Sequence, residues 1–540
     1  MRHPFRLLAA AAAMIMVAAC APSAPPAEGG PSAPGSGGAS DATLTIATTT
    51  DVVNFNPLIG NSRSDYWITN LMYPHLLGIA DNGSKTAHLA TEWGYTDPTT
   101  GFYEIRDDFT WSDGTKLTAE DVAWTLNAVK KDKPSGTFYG QLANFEKATA
   151  VSDTRVELKL SKPDTSIIEE IGFWGNIVPK HVFSKADSVA KFANDGKGGG
   201  WTSAGPYLLK EVQAGQSYTL DRVDNYPLVE GGKPGPKQVV YRVYPDVNTE
   251  ILALQSGEVD VIANALPPAQ VEKLRNTPGV EVAESKGLGY AHLTYNMKKP
   301  DLAKLEVRQA LAHAVDYEAI RTVVLQGQAV STGSSPLMPV LEEYHDPSIT
   351  EYEFDPAKAR KLMEQAGYQA GPDGKFEPTF RMIYSLQDSV TAQWANMIKD
   401  SAAEAGIKIE LQGLERNTYL AKTDQGDFDI YAGNFAIMDD PVTNMTLTYL
   451  PGGVINYSYV DDPELTKLIT DAAVTQDKQE KIALMRQAAK LVRDNVYDNI
   501  MYTQNLYFAH SDKWDGFLAK PSELLSIVNP ESVASATKVK

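Results

Sequence analysis

An α/β chain with more than one lobe is predicted by three observations. From about residue 280 onward, short runs with a two-residue apolar period alternate with longer runs of helical period. Alternating β and α segments build layered α/β lobes, with ligand sites at the C-terminal ends of the strands. The segments between the two halves are not low-complexity, which fits lobes joined by crossing strands better than domains strung on flexible linkers, and no internal repeat divides the chain.

The elements follow in order. Residues 42–48 form the first strand, with Leu44 and Ile46 alternating against polar neighbours, and Thr48-Thr49-Thr50-Asp51 is a polar strand end suited to face a cleft. Residues 102–105 and 156–160 alternate in the same way, and Trp111-Ser112-Asp113-Gly114 between them is a turn. Thr118 and Asp121 have capping-box spacing, with Asp in place of the usual Glu or Gln, ahead of a helix whose Val122, Leu126 and Val129 share one face. The glycine-rich residues 196–200 lack GxxxxGK[ST], so they do not read as a phosphate cradle. Strands are expected at 218–222 and 239–244, a helix at 248–256 closed by Gly257, and a short strand at 259–262.

Residues 280–283 and 291–295 read as strands. Val307, Ala310, Leu311 and Ala314 mark a helix, and Asp355-Pro356 starts another that Gly367 stops. A strand at 380–384, a helix through Val390, Trp394, Met397 and Ile398, and a strand at 407–411 come next. Residues 427–441, DFDIYAGNFAIMDDP, begin as a strand with Phe428, Ile430 and Ala432 on one side; Pro441 is expected to end its pairing. A strand that runs into a loop of aromatics and fixed acids is a place to hold a ligand. Asp462-Pro463 and the Asp477/Glu480 pair start two more helices, and residues 500–509 form a late strand returning toward the first half of the chain.

The 540 residues suffice for two to four domains, and 43% hydrophobic with 22% charged residues is a globular composition, neither disordered nor polytopic. A net charge of −19 without a basic patch argues against nucleic acid. Arg2, His3 and Arg6 precede the apolar residues 7–19, a run of signal-peptide length and shorter than a membrane span. It ends in Val17-Ala18-Ala19-Cys20, which resembles a bacterial lipobox, and Cys20 is the only cysteine. Residues 1–19 are therefore expected to be a signal peptide and Cys20 a lipidated N-terminus. Disulfides and cysteine metal sites are excluded with it. Residues 20–41, almost all Ala, Pro, Gly and Ser, read as a flexible tether with a reach of about 25 Å. The mature chain is expected to be anchored to a membrane without spanning it.

Catalytic constellations are not apparent. The eight histidines form no HExxH or other tight ligand spacing, GxSxG is missing, and no nucleotide fingerprint stands out. Glu169-Glu170, Glu342-Glu343, Asp439-Asp440 and Asp461-Asp462 read as solvated faces or helix caps rather than a glycosidase pair. The expectation is a binding protein, not an enzyme, with no metal and no cofactor; a secreted hydrolase is the remote alternative.

Several blocks together give a resemblance. They are Leu89-Ala90 with Trp93, IRDDFTWSDGTKLTAEDV at 105–122, Gly205-Pro206-Tyr207, Asp224-Asn225-Tyr226, LQSGEVDVI at 254–262, VRQALAHAVD at 307–316, FDPAKARKLMEQAGY at 354–368 and DDPELTKLI at 461–469. In this order the chain resembles the extracytoplasmic solute-binding proteins of peptide-type ABC transporters (family 5, the oligopeptide- and dipeptide-binding class) from about Leu44 to Ala509. The resemblance implies a bilobal periplasmic-binding-protein-like fold with two hinge-linked α/β lobes and an extra inserted domain. Lobe I would comprise 42–57, 200–284 and 500–540, the inserted subdomain 58–199, and lobe II 285–499. It implies a monomer that takes oligopeptides or dipeptides between the lobes and delivers them to the permease subunits of an importer, at the outer face of a Gram-positive membrane or in a periplasm.

In peptide binders of this class an aspartate four residues before a proline pairs with the ligand's α-amino group. Here Ile437 holds that position before Pro441, and the acids stand at Asp439 and Asp440. Either Asp439 takes over, or the ligand brings no free amine. The candidate ligand-binding residues are thus Asn434, Phe435, Ile437 and Asp439, with Asn264, His292 and Thr50 from segments that line the family's cleft. Ile437 and the aromatic content also suit an oligosaccharide or another non-peptide solute.

Overall fold

The chain crosses twice between two sheets, and those crossings set the architecture. The computed structural model describes residues 41–59, 63–134, 136–197, 200–522 and 524–539. The expected signal peptide, Cys20 and nearly all of the tether lie outside the described residues. The elements used below are β1 (Thr43–Thr48), β2 (Lys85–Ala87), α1 (Ile167–Trp174), β3 (Val280–Ser285), β4 (Tyr290–Tyr295), β5 (Ile430–Phe435), α2 (Pro441–Tyr449), β6 (Asn499–Gln504) and β7 (Leu506–Ser511).

Among the described residues the first sheet has seven strands, in the order β3, β7, Val261–Ile262, β1, Gln238–Val243, Ser217–Arg222 and Tyr207–Gln213. β1 runs parallel to both of its neighbours at the centre, which is why Leu44 and Ile46 are completely buried. The second sheet has six strands, in the order Ala329–Val330, β6, β4, β5, Thr379–Ser385 and Lys408–Leu414. Here β4 lies antiparallel between β5 and β6, and all six of its residues are buried. A four-stranded antiparallel sheet, built from segments between residues 90 and 160, packs under the helix Ala119–Asp132. That helix starts with the expected capping box, Thr118 and Asp121 each accepting from the other's backbone N–H.

Apolar packing divides differently from chain order. One cluster joins Leu44, Ile46 and Tyr241 of the first sheet to Trp67, Phe109, Val122, Leu126 and Val156, so the segment after β1 shares its core with that sheet. A second cluster holds Leu293, Tyr295, Met382, Trp394, Ile430 and Ala432 around the second sheet. A smaller one spans both regions, with Ile79 and Phe173 against Leu288, Tyr290, Leu341 and Met438.

The crossings lie side by side. β3 pairs antiparallel with β7 in the first sheet, Ser285 opposite Leu506, and β4 pairs with β6 in the second, Ala291 opposite Tyr502. Only residues 286–289 on one chain segment and Asn505 on the other separate the two ladders. Residues 500–509 are therefore two strands in two sheets, not one. Local pattern shows that both halves are extended and apolar, but only the partners decide which sheet each joins. The linker is close-packed. Thr503 Oγ1 donates to the carbonyl of Gly289 at 2.7 Å and lies 3.2 Å from that of Gly287, and the Asn505 N–H donates to Gln328 O at 3.0 Å. A Cβ at Gly287 would sit 2.2 Å from Gln504 O, and one at Gly289 only 2.0 Å from Phe435 O, so both positions need glycine for close approach.

Pro441 does more than end β5. It is the first residue of α2, and Asp440 is that helix's N-cap, accepting from Thr443 N at 2.6 Å. Among the described residues no helix is long and apolar enough to cross a membrane.

The linker geometry predicts that Gly287→Ala and Gly289→Ala each destabilise the protein by about 1–3 kcal/mol, the usual cost of forcing atoms into filled space. Melting curves check this. Gly140→Ala, where a Cβ meets nothing within 4 Å, is the control expected to change little.

Candidate functional site

The sequence-predicted residues fall into two groups, one on each sheet. Thr50 and Asn264 belong to the first. The C-terminal end of β1 turns there because Thr50 N donates back to Thr48 Oγ1 at 3.1 Å, while Thr49 N donates to Asn264 Oδ1 at 3.1 Å. The Ser64 hydroxyl closes this end by donating to Thr50 O. Asn264 is buried and Thr50 half-buried.

The second group stands on β4 and β5. Asn434 is exposed and donates to Asp388 Oδ2 at 2.9 Å. Phe435 and Ile437 are half-buried, whereas Asp439 is buried. The Phe435 ring lies 4.4 Å from the His292 ring and 5.7 Å from that of Tyr290, centroid to centroid. Tyr431 flanks the same histidine at 5.5 Å, so three aromatic rings surround it.

His292 is fully buried, and its ring is oriented by charge. Nδ1 lies 2.8 and 2.9 Å from the two oxygens of Asp498, and Thr294 Oγ1 and Tyr449 OH donate to that same carboxylate at 3.2 and 3.1 Å. A carboxylate that accepts three hydrogen bonds is well solvated by the protein, and it places the imidazole proton on Nδ1. His292 Nε2 is buried and has no hydrogen-bond partner among the described residues.

Asp439 is committed to a residue the sequence did not single out. Lys85, on β2, forms an ion pair with its Oδ2 and stands 3.6 Å from Glu170 Oε1 of α1. The Phe173 ring covers the ammonium at 4.5 Å. Burial pulls the Lys85 ammonium down, but the Asp439 and Glu170 carboxyls outweigh it and hold the group above its ordinary value. Glu170 goes the other way. Burial first, then the Asp439 charge, push its carboxyl well above the usual range against the opposing pull of Lys85. The Tyr66 phenol is raised by burial and by the same Asp439 charge. Glu170 is thus no solvated surface acid, although Glu169-Glu170 reads as one in sequence.

Of the unpredicted residues, only Glu170 had a local signal, its place in an apolar helical run. Lys85 and Asp498 had none, because Asp439 and His292, the partners they face, are 354 and 206 residues away. Asp439 and Asp440 have separate duties, an ion pair and a helix cap. Among the described residues no cluster of three or more His, Cys, Asp or Glu side chains is placed to hold a metal ion.

Two sheets joined by a double crossing, each carrying some of the candidate residues, define a two-lobed α/β protein. Comparison with known proteins agrees. The family model "Bacterial extracellular solute-binding proteins, family 5 Middle" matches residues 86–456. The chain is 26% identical to the Probable D,D-dipeptide-binding periplasmic protein DdpA of Escherichia coli over 499 residues, 88% of this chain and 92% of that one. It is 28% identical to Heme-binding protein A of Haemophilus influenzae over 357 residues, 64% of this chain and 62% of that one. The crystal structure of the ABC transporter substrate binding protein CtaP of Listeria monocytogenes superposes with a TM-score of 0.82 at 24% identity, covering 93% of this chain and all of that one. The chain belongs to family 5 of the bacterial extracellular solute-binding proteins, the peptide-type class of ABC transporters.

Two outcomes follow from the buried charges. Asp498→Ala strands His292 Nδ1 and two hydroxyls and is expected to cost about 3–5 kcal/mol, with Asp498→Asn milder; chemical denaturation measures both. Glu170 binds its proton more tightly in the folded than in the unfolded state. Its contribution is therefore complete below the ordinary glutamate value of 4.5 and is lost as pH rises through the raised folded value. Glu170→Gln should flatten the fall in melting temperature as pH rises above 4.5.

Proposed function

We propose that this protein is a lipid-anchored binding protein that captures oligopeptides or dipeptides in a cleft between its two sheets and delivers them to an ABC importer. Residues 42–57, 200–285 and 506–540, with the inserted 58–199, form one lobe in this reading, and residues 290–504 form the other, because β6 pairs in the second sheet and moves the expected boundary from 500 to Asn505. The single observation that carries it is the double crossing of β3–β4 and β6–β7, a ribbon about which two sheets turn. The apolar cluster shared by the first sheet and the inserted segment supports their moving together. Thr50 and Asn264 contact the ligand from one side, and Asn434, Phe435 and Ile437 from the other, with His292 behind Phe435. Cys20 carries the lipid, which keeps the protein at the membrane, and the protein works as a monomer.

Ligand that binds only the native, closed form must raise apparent stability. A melting-temperature rise of several degrees with one or more members of a di- to octapeptide library is the expected result. No rise with any peptide, alongside a rise with sugars, would sink the peptide reading. For the anchor, Cys20→Ser is expected to move the protein from the membrane to the soluble fraction and to abolish labelling with a tagged fatty acid.

A second reading, a non-peptide solute in the same cleft, is favoured by one observation. Both acids of the loop after β5 already have duties, and half-buried Ile437 holds the position where an amine-pairing acid is expected. The kinship with a protein named for heme binding points the same way. Native mass spectrometry of the protein purified without refolding separates the two, since a co-purifying peptide rules out the second.

A further inference from the structure

The Lys85 ammonium is held by Asp439, by Glu170 at 3.6 Å and by the Phe173 ring at 4.5 Å. The Lys85, Glu170 and Asp439 side chains are only 4%, 4% and 3% exposed. An ammonium gives up strong hydration on burial and stays charged there only when paired. The pair also joins distant parts of the chain. Lys85 comes from the hairpin Leu77–Ile79 with β2, and Asp439 from the loop between β5 and α2. Residues 436–440 hold two carboxylates, and Asp440 is turned into the α2 N-terminus. Asp439 is therefore the carboxylate that a cationic group arriving at this loop would need, and the chain already supplies a cation to it. A second ammonium could pair with Asp439 only by displacing Lys85 from its contact counter-charge, leaving that buried ammonium beside Glu170 and the Phe173 ring, or by sharing one carboxylate between two like charges.

We propose that Lys85 is a specificity-determining residue: by occupying Asp439 from within the chain, it selects ligands that bring no ammonium group to residues 436–440. The class so favoured is peptides with a blocked or cyclised N-terminus and other solutes without a free amine. This selection rests on the reading above, in which the loop after β5 faces the ligand; the assignment of Asp439 as an ammonium site does not.

Two measurements test it. In the first, Lys85→Ala opens the ammonium position, and millimolar n-butylammonium chloride is expected to raise that variant's melting temperature by several degrees. Wild type and the double variant Lys85→Ala/Asp439→Asn should not respond, nor should Lys85→Ala respond to n-butanol. A folded Lys85→Ala protein indifferent to the amine overturns the assignment. In the second, calorimetry compares trialanine with N-acetyl-trialanine. Wild type is expected to bind the acetylated form at least tenfold more tightly, and Lys85→Met, which keeps most of the side-chain volume, should lose that preference. Tighter wild-type binding of the free amine overturns the proposal, whether or not Lys85→Ala folds. Binding of neither peptide counts against the peptide reading and leaves the amine rescue to decide Lys85 alone.

Discussion

Everything in this molecule hangs on two antiparallel connections that leave one sheet and enter another within a few residues. Each of β3, β4, β6 and β7 has to satisfy its backbone groups in a ladder, and the ladders belong to different sheets. Any change in the angle between the sheets must then be absorbed by residues 286–289 and Asn505, the stretch outside both ladders. Gly287 and Gly289 let the two connections approach within carbonyl contact, and Thr503 ties them together. The linker is thereby narrow and specific, a hinge defined by hydrogen bonding rather than by looseness.

The fold carries two buried polar groupings with very different neighbours. His292 and Asp498 sit inside the second sheet's own fabric, on β4 and just before β6, and are satisfied by Thr294 and Tyr449. Lys85, Glu170 and Asp439 sit where the inserted segment meets the second sheet, beside an apolar cluster that spans the same junction. Exposed pairs such as Lys467 with Asp471 contribute at most about 1 kcal/mol. Breaking a buried pair costs several times that, so the Lys85 contact has leverage over how these regions meet. It joins elements about 350 residues apart in sequence, by a single ammonium.

Much of this was legible in the residues. The strand β1, the capped helix after Thr118, the Asp-Pro helix starts at 355–356 and 462–463, and Gly257 as a helix stop all follow from local patterns, because each is decided within a turn or two of chain. The loop after β5 was legible as a site candidate for its composition. What failed was any statement needing a distant partner. Residues 500–509 have one continuous pattern and two sheet memberships. Glu169-Glu170 looks like a solvated acid pair, yet Glu170 is buried because α1 packs its face against the second region.

The sequence by itself determined the elements, the ordered blocks that mark family 5, and the position of the candidate loop, since periodicity, capping and motif order are properties of neighbouring residues. Tertiary structure alone decided which charges meet. Asp439 looks free to greet a ligand's amine when read in DFDIYAGNFAIMDDP. The fold instead sets Lys85 against it, because the hairpin at residues 77–87 and the loop at 436–440 are brought together by packing that no local pattern encodes. Burial then makes that pairing obligatory, for an ammonium removed from water needs its counter-charge within contact distance.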